Sequence, residues 1–251
     1  MTALHKTPWL VRTKVNPEAA LRLFCFPYAG GGATIFHSWP AKLPSHLEIL
    51  SVQPPGRQGR WREEAFTRVR PMVESIRQAL LPLLDKPFVF FGHSLGSVVC
   101  YELARLLRSK QDPLPQQLYL SGHRAPQLDE VRPPTFHLSD SKFRQELHRL
   151  NGTPQEVLQN PELLELMLPL LRADFEAAET YQFEPGRPLE IPFSVFGGLR
   201  DEDVPRQDLE PWSEHTRASF RLRMLPGNHF FLHSDEDDLL RLLSQDLSRL
   251  P

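Results

Sequence analysis

Cysteine is nearly absent: the 251-residue chain has two, Cys25 and Cys100. With only these two no Cys-x-x-Cys spacing exists, which excludes a zinc site of that kind. Cys25 falls in an apparent strand and Cys100 in an apparent helix, so the expectation is two buried free thiols in a reducing compartment. Long apolar runs are also lacking. None approaches the ~20 residues that span a bilayer. The opening stretch "MTALHKTPWLVRTKVNPEAA" has no apolar segment of signal-peptide type, and the expected location is the cytoplasm. Neither sign of charge is in excess, since the net charge is −2 with 24 % charged residues. That balance gives nucleic acid or an anionic membrane no general attraction.

What is present is an ordinary apolar share, 40 % of residues, enough for one large domain or two small ones with a substantial core. Short apolar runs alternate with helical patterns. The runs are "LRLFCF" (21–26), "LEILSVQ" (47–53), "PFVFFG" (87–92), "QQLYLSG" (116–122), "IPFSVFGG" (191–198) and "SFRLRML" (219–225). Runs of this length that end at Gly or Pro suit strands buried on both faces. Between them, helices are predicted over Pro71–Leu84 and Ser97–Leu107. A last helix is predicted from near Ser234, where Asp235, Glu236 and Asp237 suit an N-terminus. It carries an apolar stripe of Leu239, Leu240, Leu243, Leu247 and Leu250. The alternation predicts an α/β fold with a mostly parallel twisted sheet flanked by helices.

One segment breaks the rhythm. No convincing strand occurs between about Gln127 and Gln182, and helical patterns fill it at Lys142–Leu150, Pro154–Leu158 and Pro161–Tyr181. That is too long for an ordinary αβ connection. We therefore divide the chain into a core, 1–126 with 186–251, and a helical insertion, 127–185. Leaving one strand end and returning to the next, the insertion would stand over the carboxyl edge of the sheet, where open α/β sheets bind ligands. The expectation is a lid; a helical decoration with no role in access is the alternative.

The candidate chemistry centres on "FVFFGHSLGSVV", a buried strand, Gly-His-Ser-Leu-Gly and the start of a helix. Gly-x-Ser-x-Gly alone is weak, since chance supplies it in roughly one chain in ten of this length. Its place between strand and helix is what a nucleophile elbow requires, with Ser94 as nucleophile. His93 should point away from Ser94 and pack. A serine needs a base downstream. His229 in "LPGNHFFLHS" follows the last strand on a Pro-Gly-Asn turn and is preferred to His233. An acid that orients the histidine should follow an earlier strand end. "FSVFGGLRDEDVP" offers Asp201, nearest the strand, with Glu202 and Asp203 as alternatives. An oxyanion hole needs two donors. The N–H of Leu95 is one. "FCFPYAGGGA" points to Ala29 for the other, or to Tyr28 beside it, while Gly30, Gly31 and Gly32 let this backbone approach a substrate. The same loop lacks Gly-x-Gly-x-x-Gly spacing and a Gly-Lys-Ser/Thr ending, which argues against nucleotide binding.

Read together and in order, "FPYAGGGA", "QPPGRQGR", "FFGHSLGS", "SGHRAP", "LRADFEAAETY", "FGGLRDEDV" and "LPGNHFFL" resemble the stand-alone (type II) thioesterases of non-ribosomal peptide and polyketide synthesis. The resemblance runs from about residue 8 to residue 248 and includes the insertion. It implies an α/β-hydrolase fold with a helical lid, and its Ser, Asp and His fall on Ser94, Asp201 and His229. It also implies hydrolysis of acyl thioesters on the phosphopantetheine arm of carrier proteins through an acyl-serine, removing stalled or mis-primed units. On this basis no metal or organic cofactor is expected, the partners are acyl or peptidyl carrier proteins, and the protein is a monomer. Two departures stand out: Pro54, where an aromatic often precedes Pro-Gly-Arg, and His123, where Arg is common. A general esterase or lipase and a serine acyltransferase would use the same triad, and a non-catalytic binding protein would not need it.

Two groups stay open. Arg57, Arg60 and Arg62 follow the second long strand, and either meet an acidic carrier or its phosphate or form a solvated loop. Phe143, Leu168, Leu171 and Phe175 either line an acyl pocket or pack within the insertion.

Overall fold

The computed structural model describes residues 7–129, 132–150 and 160–250. Its centre is a sheet of β1 (Leu10–Val11), β2 (Leu21–Phe26), β3 (Leu47–Val52), β4 (Phe88–His93), β5 (Leu118–Ser121), β6 (Phe193–Gly198) and β7 (Phe220–Leu225). The order across it is β1-β3-β2-β4-β5-β6-β7. β1 pairs antiparallel with β3, and every other neighbouring pair is parallel. All six predicted strands are found within a residue or two of their expected ends. β1 is an addition to them, because two residues carry no period.

Alternation at period two sends successive side chains to opposite faces. In β4, Phe88 and Phe90 enter one cluster while Val89 and Phe91 enter the other. β2 does the same with Phe24 and Phe26 against Leu23 and Cys25. Both faces are therefore apolar and both need helices. α1 (Val69–Leu80) and α2 (Leu95–Ser109) cover the first. α5 (Glu236–Leu247) covers the second through Leu239, Leu240, Leu243 and Leu247, with Trp39 beside it and Leu250 packed at its edge. Cys25 and Cys100 are buried and free.

Between β5 and β6 stand α3 (Asp140–Leu150) and α4 (Pro161–Glu179). α4 starts where expected: Asn160 caps it by accepting from the Leu163 N–H at 3.1 Å, and Pro161 fills the first position, where no N–H is needed. Phe143 and Leu147 of α3 join Leu164, Leu168 and Leu171 of α4 in a separate small core. The expected helix at Pro154–Leu158 lies outside the described residues. The order of strands reverses between β2 and β4, and a crevice outside their carboxyl ends is where such sheets bind ligands. Those two ends carry Pro27–Gly32 and Ser94.

Candidate active site

Ser94 is the first residue after β4 and the residue before α2, with φ 53° and ψ −119°. An ordinary serine at a helix start is extended and accepts a bond from the first turn. Ser94 makes no such capping bond, so its hydroxyl is left for another use. A non-glycine residue held here costs on the order of 1–3 kcal/mol, and the surroundings hold it. The Ser94 N–H donates to Ser121 O at 2.7 Å, and the buried Ser97 hydroxyl bonds to Gly92 O and Ser121 O at 2.8 Å each. The flanking glycines allow the close approach. A Cβ on Gly92 would lie 2.1 Å from Gly96 O, and one on Gly96 would lie 2.2 Å from Phe26 O.

His229 follows β7, and its Nδ1 meets Asp201 Oδ2 at 2.8 Å. A carboxylate only accepts, so Nδ1 carries a proton, the tautomer whose neutral ring has its lone pair on Nε2. The Asp201 side chain is 1 % exposed, and its Oδ1 accepts from the N–H groups of Asp203 and Val204 at 3.0 and 3.1 Å. Of the three acids in the loop only Asp201 reaches the histidine. Asp203 pairs with Arg149 and Arg132, and Glu202 borders the cavity. His233 sits instead against the Tyr28 hydroxyl at 2.9 Å, and burial lowers its pKa.

His93 turns away from Ser94, as expected, but does more than pack. Its Nε2 lies 2.9 Å from His229 O and its Nδ1 2.9 Å from Ser121 Oγ. A carbonyl cannot donate, so Nε2 donates and Nδ1 accepts from the serine hydroxyl. Burial, reinforced by the neighbouring His229, keeps His93 well below the usual imidazole range and therefore neutral. It ties the backbone of His229 to the end of β5.

Ser94, His229, Ala29 and Leu95 all border one cavity of about 470 Å³. Ser94 Oγ and His229 Nε2 share no hydrogen bond among the described residues; such bonds often form only once substrate is bound. The N–H groups of Ala29 and Leu95 likewise donate to no acceptor among the described residues. The insertion also contributes to the wall, through Leu147, Leu171 and Phe175. Phe143 and Leu168, by contrast, belong to its internal core. His123 also borders the cavity, and burial takes its pKa down to about 4.

Residues 21–247 match the thioesterase domain family. The chain belongs to the thioesterase family. It is 42 % identical over 239 residues to the gramicidin S biosynthesis protein GrsT of Aneurinibacillus migulanus, covering 95 % of this chain and 93 % of that protein. Among solved structures, RedJ, the thioesterase of the prodiginine pathway in Streptomyces coelicolor, superposes with a TM-score of 0.86 at 37 % identity, covering 90 % of each chain. BorB, a type II thioesterase from the borrelidin cluster, gives 0.88 at 33 %, covering 96 % of this chain and 98 % of that one. The thioesterase is a type II enzyme of the α/β-hydrolase class, a serine hydrolase acting on thioesters.

Two arginines of the thioesterase, Arg57 and Arg60, differ from both sequence readings. Arg57 is buried and bound to Asp174. Arg60 is also buried; it bonds to Glu63 and Gln53 O and lies 4.4 Å over Trp9. Only Arg62 is solvated, over Trp61. Asp174 is a residue that sequence reasoning misses. Its signal is an acid in the apolar stripe of α4, between Leu171 and Ala177.

Proposed function

We propose that the enzyme hydrolyses acyl groups carried as thioesters on the phosphopantetheine arm of acyl or peptidyl carrier proteins, clearing stalled or mis-primed units from a polyketide or non-ribosomal peptide synthase. The observation that carries this is Ser94 on its strained elbow, facing one cavity with the His229–Asp201 pair and two unspent N–H donors. In this reading the arm enters beneath the insertion, taken as a lid over 127–185. Ser94 Oγ attacks the thioester carbonyl while His229 Nε2 takes its proton. The oxyanion rests on the N–H groups of Ala29 and Leu95, and the N-terminus of α2 favours the negative charge there. Asp201 holds the imidazole tautomer and stabilises the imidazolium. The C–S bond breaks, and His229 returns its proton to the departing thiol. It then draws a proton from water, which attacks the acyl-serine carbonyl, and returns that proton to Ser94 Oγ as the bond from the acyl carbon to Oγ breaks and the acid leaves. Protein groups carry every step, so no metal or organic cofactor is assigned. The enzyme works as a cytoplasmic monomer beside its synthase.

Release of acetyl and longer acyl groups from a phosphopantetheinylated carrier tests this, with Ser94→Ala, acyl-CoA and a p-nitrophenyl ester run alongside. The expected result is release from the carrier faster than from either control and abolished in Ser94→Ala. Faster turnover of the simple ester with the carrier untouched would make the protein a general esterase. Acyl-serine that accumulates until an alcohol or amine is added would make it an acyltransferase.

A further inference from the structure

A buried ion pair beside the glycine loop joins three segments far apart in sequence. Arg57, after β3, grips Asp174 of α4 with two parallel bonds, Nη1 to Oδ2 at 2.7 Å and Nη2 to Oδ1 at 2.8 Å. Both side chains are almost fully buried, 5 % and 1 % exposed. Each partner also takes hold of the glycine loop after β2. Asp174 Oδ2 accepts from the Gly30 N–H at 2.6 Å, and Arg57 Nη1 donates to Gly31 O at 2.8 Å. Between these grips the Gly31 N–H bonds to Tyr28 O at 2.9 Å, closing a four-residue turn with Gly30 at φ 79°. A positive φ at the third residue is what a type II turn demands. Ala29, the second residue of that turn, borders the cavity and carries the unspent N–H.

We propose that Arg57 and Asp174 are positioning residues for the oxyanion hole: the pair locks the Tyr28–Gly31 turn so that the Ala29 N–H is aimed before substrate arrives. This rests on the thioesterase mechanism above and adds residues that touch no substrate. Three considerations support it. First, a buried ion pair contributes little net stability beside an apolar pair of similar volume, so its distinctive product is directional geometry. Second, a lone carboxylate bonded one residue from Ala29 would oppose a developing oxyanion, and the bidentate guanidinium cancels that charge. Third, α4 lies directly against the turn: a Cβ on Gly30 would come within 2.5 Å of Leu171 Cδ2. It follows that this end of the insertion is not a free flap. The C-terminal half of α4 is a fixed part of the catalytic frame.

The test replaces the pair by apolar residues, Arg57→Met with Asp174→Leu, in the full-length enzyme. Thermal unfolding, kcat and KM for acyl-thioester hydrolysis, and inhibition by an alkyl boronic acid are then measured. The boronic acid adds to the serine hydroxyl to form a tetrahedral adduct whose oxygen occupies the hole. Removing a whole donor costs about 10²–10³ in kcat, so loosening one should cost ~10–100-fold. KM should stay within about twofold, the boronate should weaken in parallel with kcat, and the unfolding midpoint should hold. A folded double variant with wild-type kcat and boronate affinity overturns the proposal. Should the double variant not fold, Asp174→Asn decides: a lower kcat at constant KM supports positioning, and a raised KM at constant kcat overturns it. Ser94→Ala in the same assay separates the two levels, because wild-type turnover that survives Ser94→Ala refutes the mechanism itself rather than the role of the pair.

Discussion

Gly96→Ala is the smallest change that should damage the whole site. The added Cβ would sit 2.2 Å from Phe26 O and 2.8 Å from Pro27 O, all backbone on the far side, whereas real Cβ contacts do not fall under 3.0 Å. Backbone cannot rotate away as a side chain can, so the start of α2 and the end of β2 must part by about 1 Å. Overpacking of this kind costs about 1–3 kcal/mol, which for a chain of this length lowers the unfolding midpoint by roughly 2–12 °C. The effect on catalysis should be larger than that on stability. The two oxyanion donors stand on opposite sides of this contact, Leu95 next to Gly96 and Ala29 two residues beyond Pro27. A displacement of about 1 Å in catalytic groups can cost 10²-fold, so kcat should drop about 100-fold at a temperature where the variant remains folded. The assay is acyl-thioester hydrolysis at a temperature well below both midpoints, with Gly59→Ala as control, since a Cβ there meets nothing within 4 Å. A folded Gly96→Ala enzyme with wild-type kcat would refute the idea that this glycine exists to bring the elbow against β2.

Asp201→Asn should keep the fold, because an amide oxygen still accepts from the N–H groups of Asp203 and Val204, and should lower kcat by about 10⁴ through loss of the correct imidazole tautomer; a loss under tenfold in steady-state kinetics would remove Asp201 from that role. Acid should weaken the fold through the buried imidazoles. His123 titrates at about 4 in the folded protein against 6.5 when unperturbed, and His93 is shifted the same way. The unfolded chain therefore binds more protons as pH falls below 6.5, and stability, complete above that value, declines through about pH 4. Urea midpoints at pH 7.5 and pH 5 should show the drop, and a smaller one in His123→Asn; equal drops in the two proteins would mean that His123 is not a source of the acid sensitivity.

Much of this protein is legible in the local regularities of its sequence. Two-residue alternation with apolar residues on both faces calls for a sheet covered on both sides, and Phe88–Phe91 divide between the two clusters accordingly. Gly-His-Ser-Leu-Gly is legible too, because the strain at Ser94 and the close approach of Gly92 to Gly96 lie within five residues, whereas the contact of Gly96 with Phe26 and Pro27 is made only by the sheet. The preference for Asp201 and His229 needs only strand ends and chain order, and those two are the residues that meet. The tertiary structure alone decides what joins distant segments. Arg57 and Asp174 are 117 residues apart, and the arginine reads as one of three in a polar loop until α4 is laid across it. His93 supports the backbone of a residue 136 positions away. Such bonds leave no period, because a single side chain reaching across the fold imposes nothing on its sequence neighbours. Only the packing of α4 over the glycine turn brings the charge, its partner and the peptide they hold to one place.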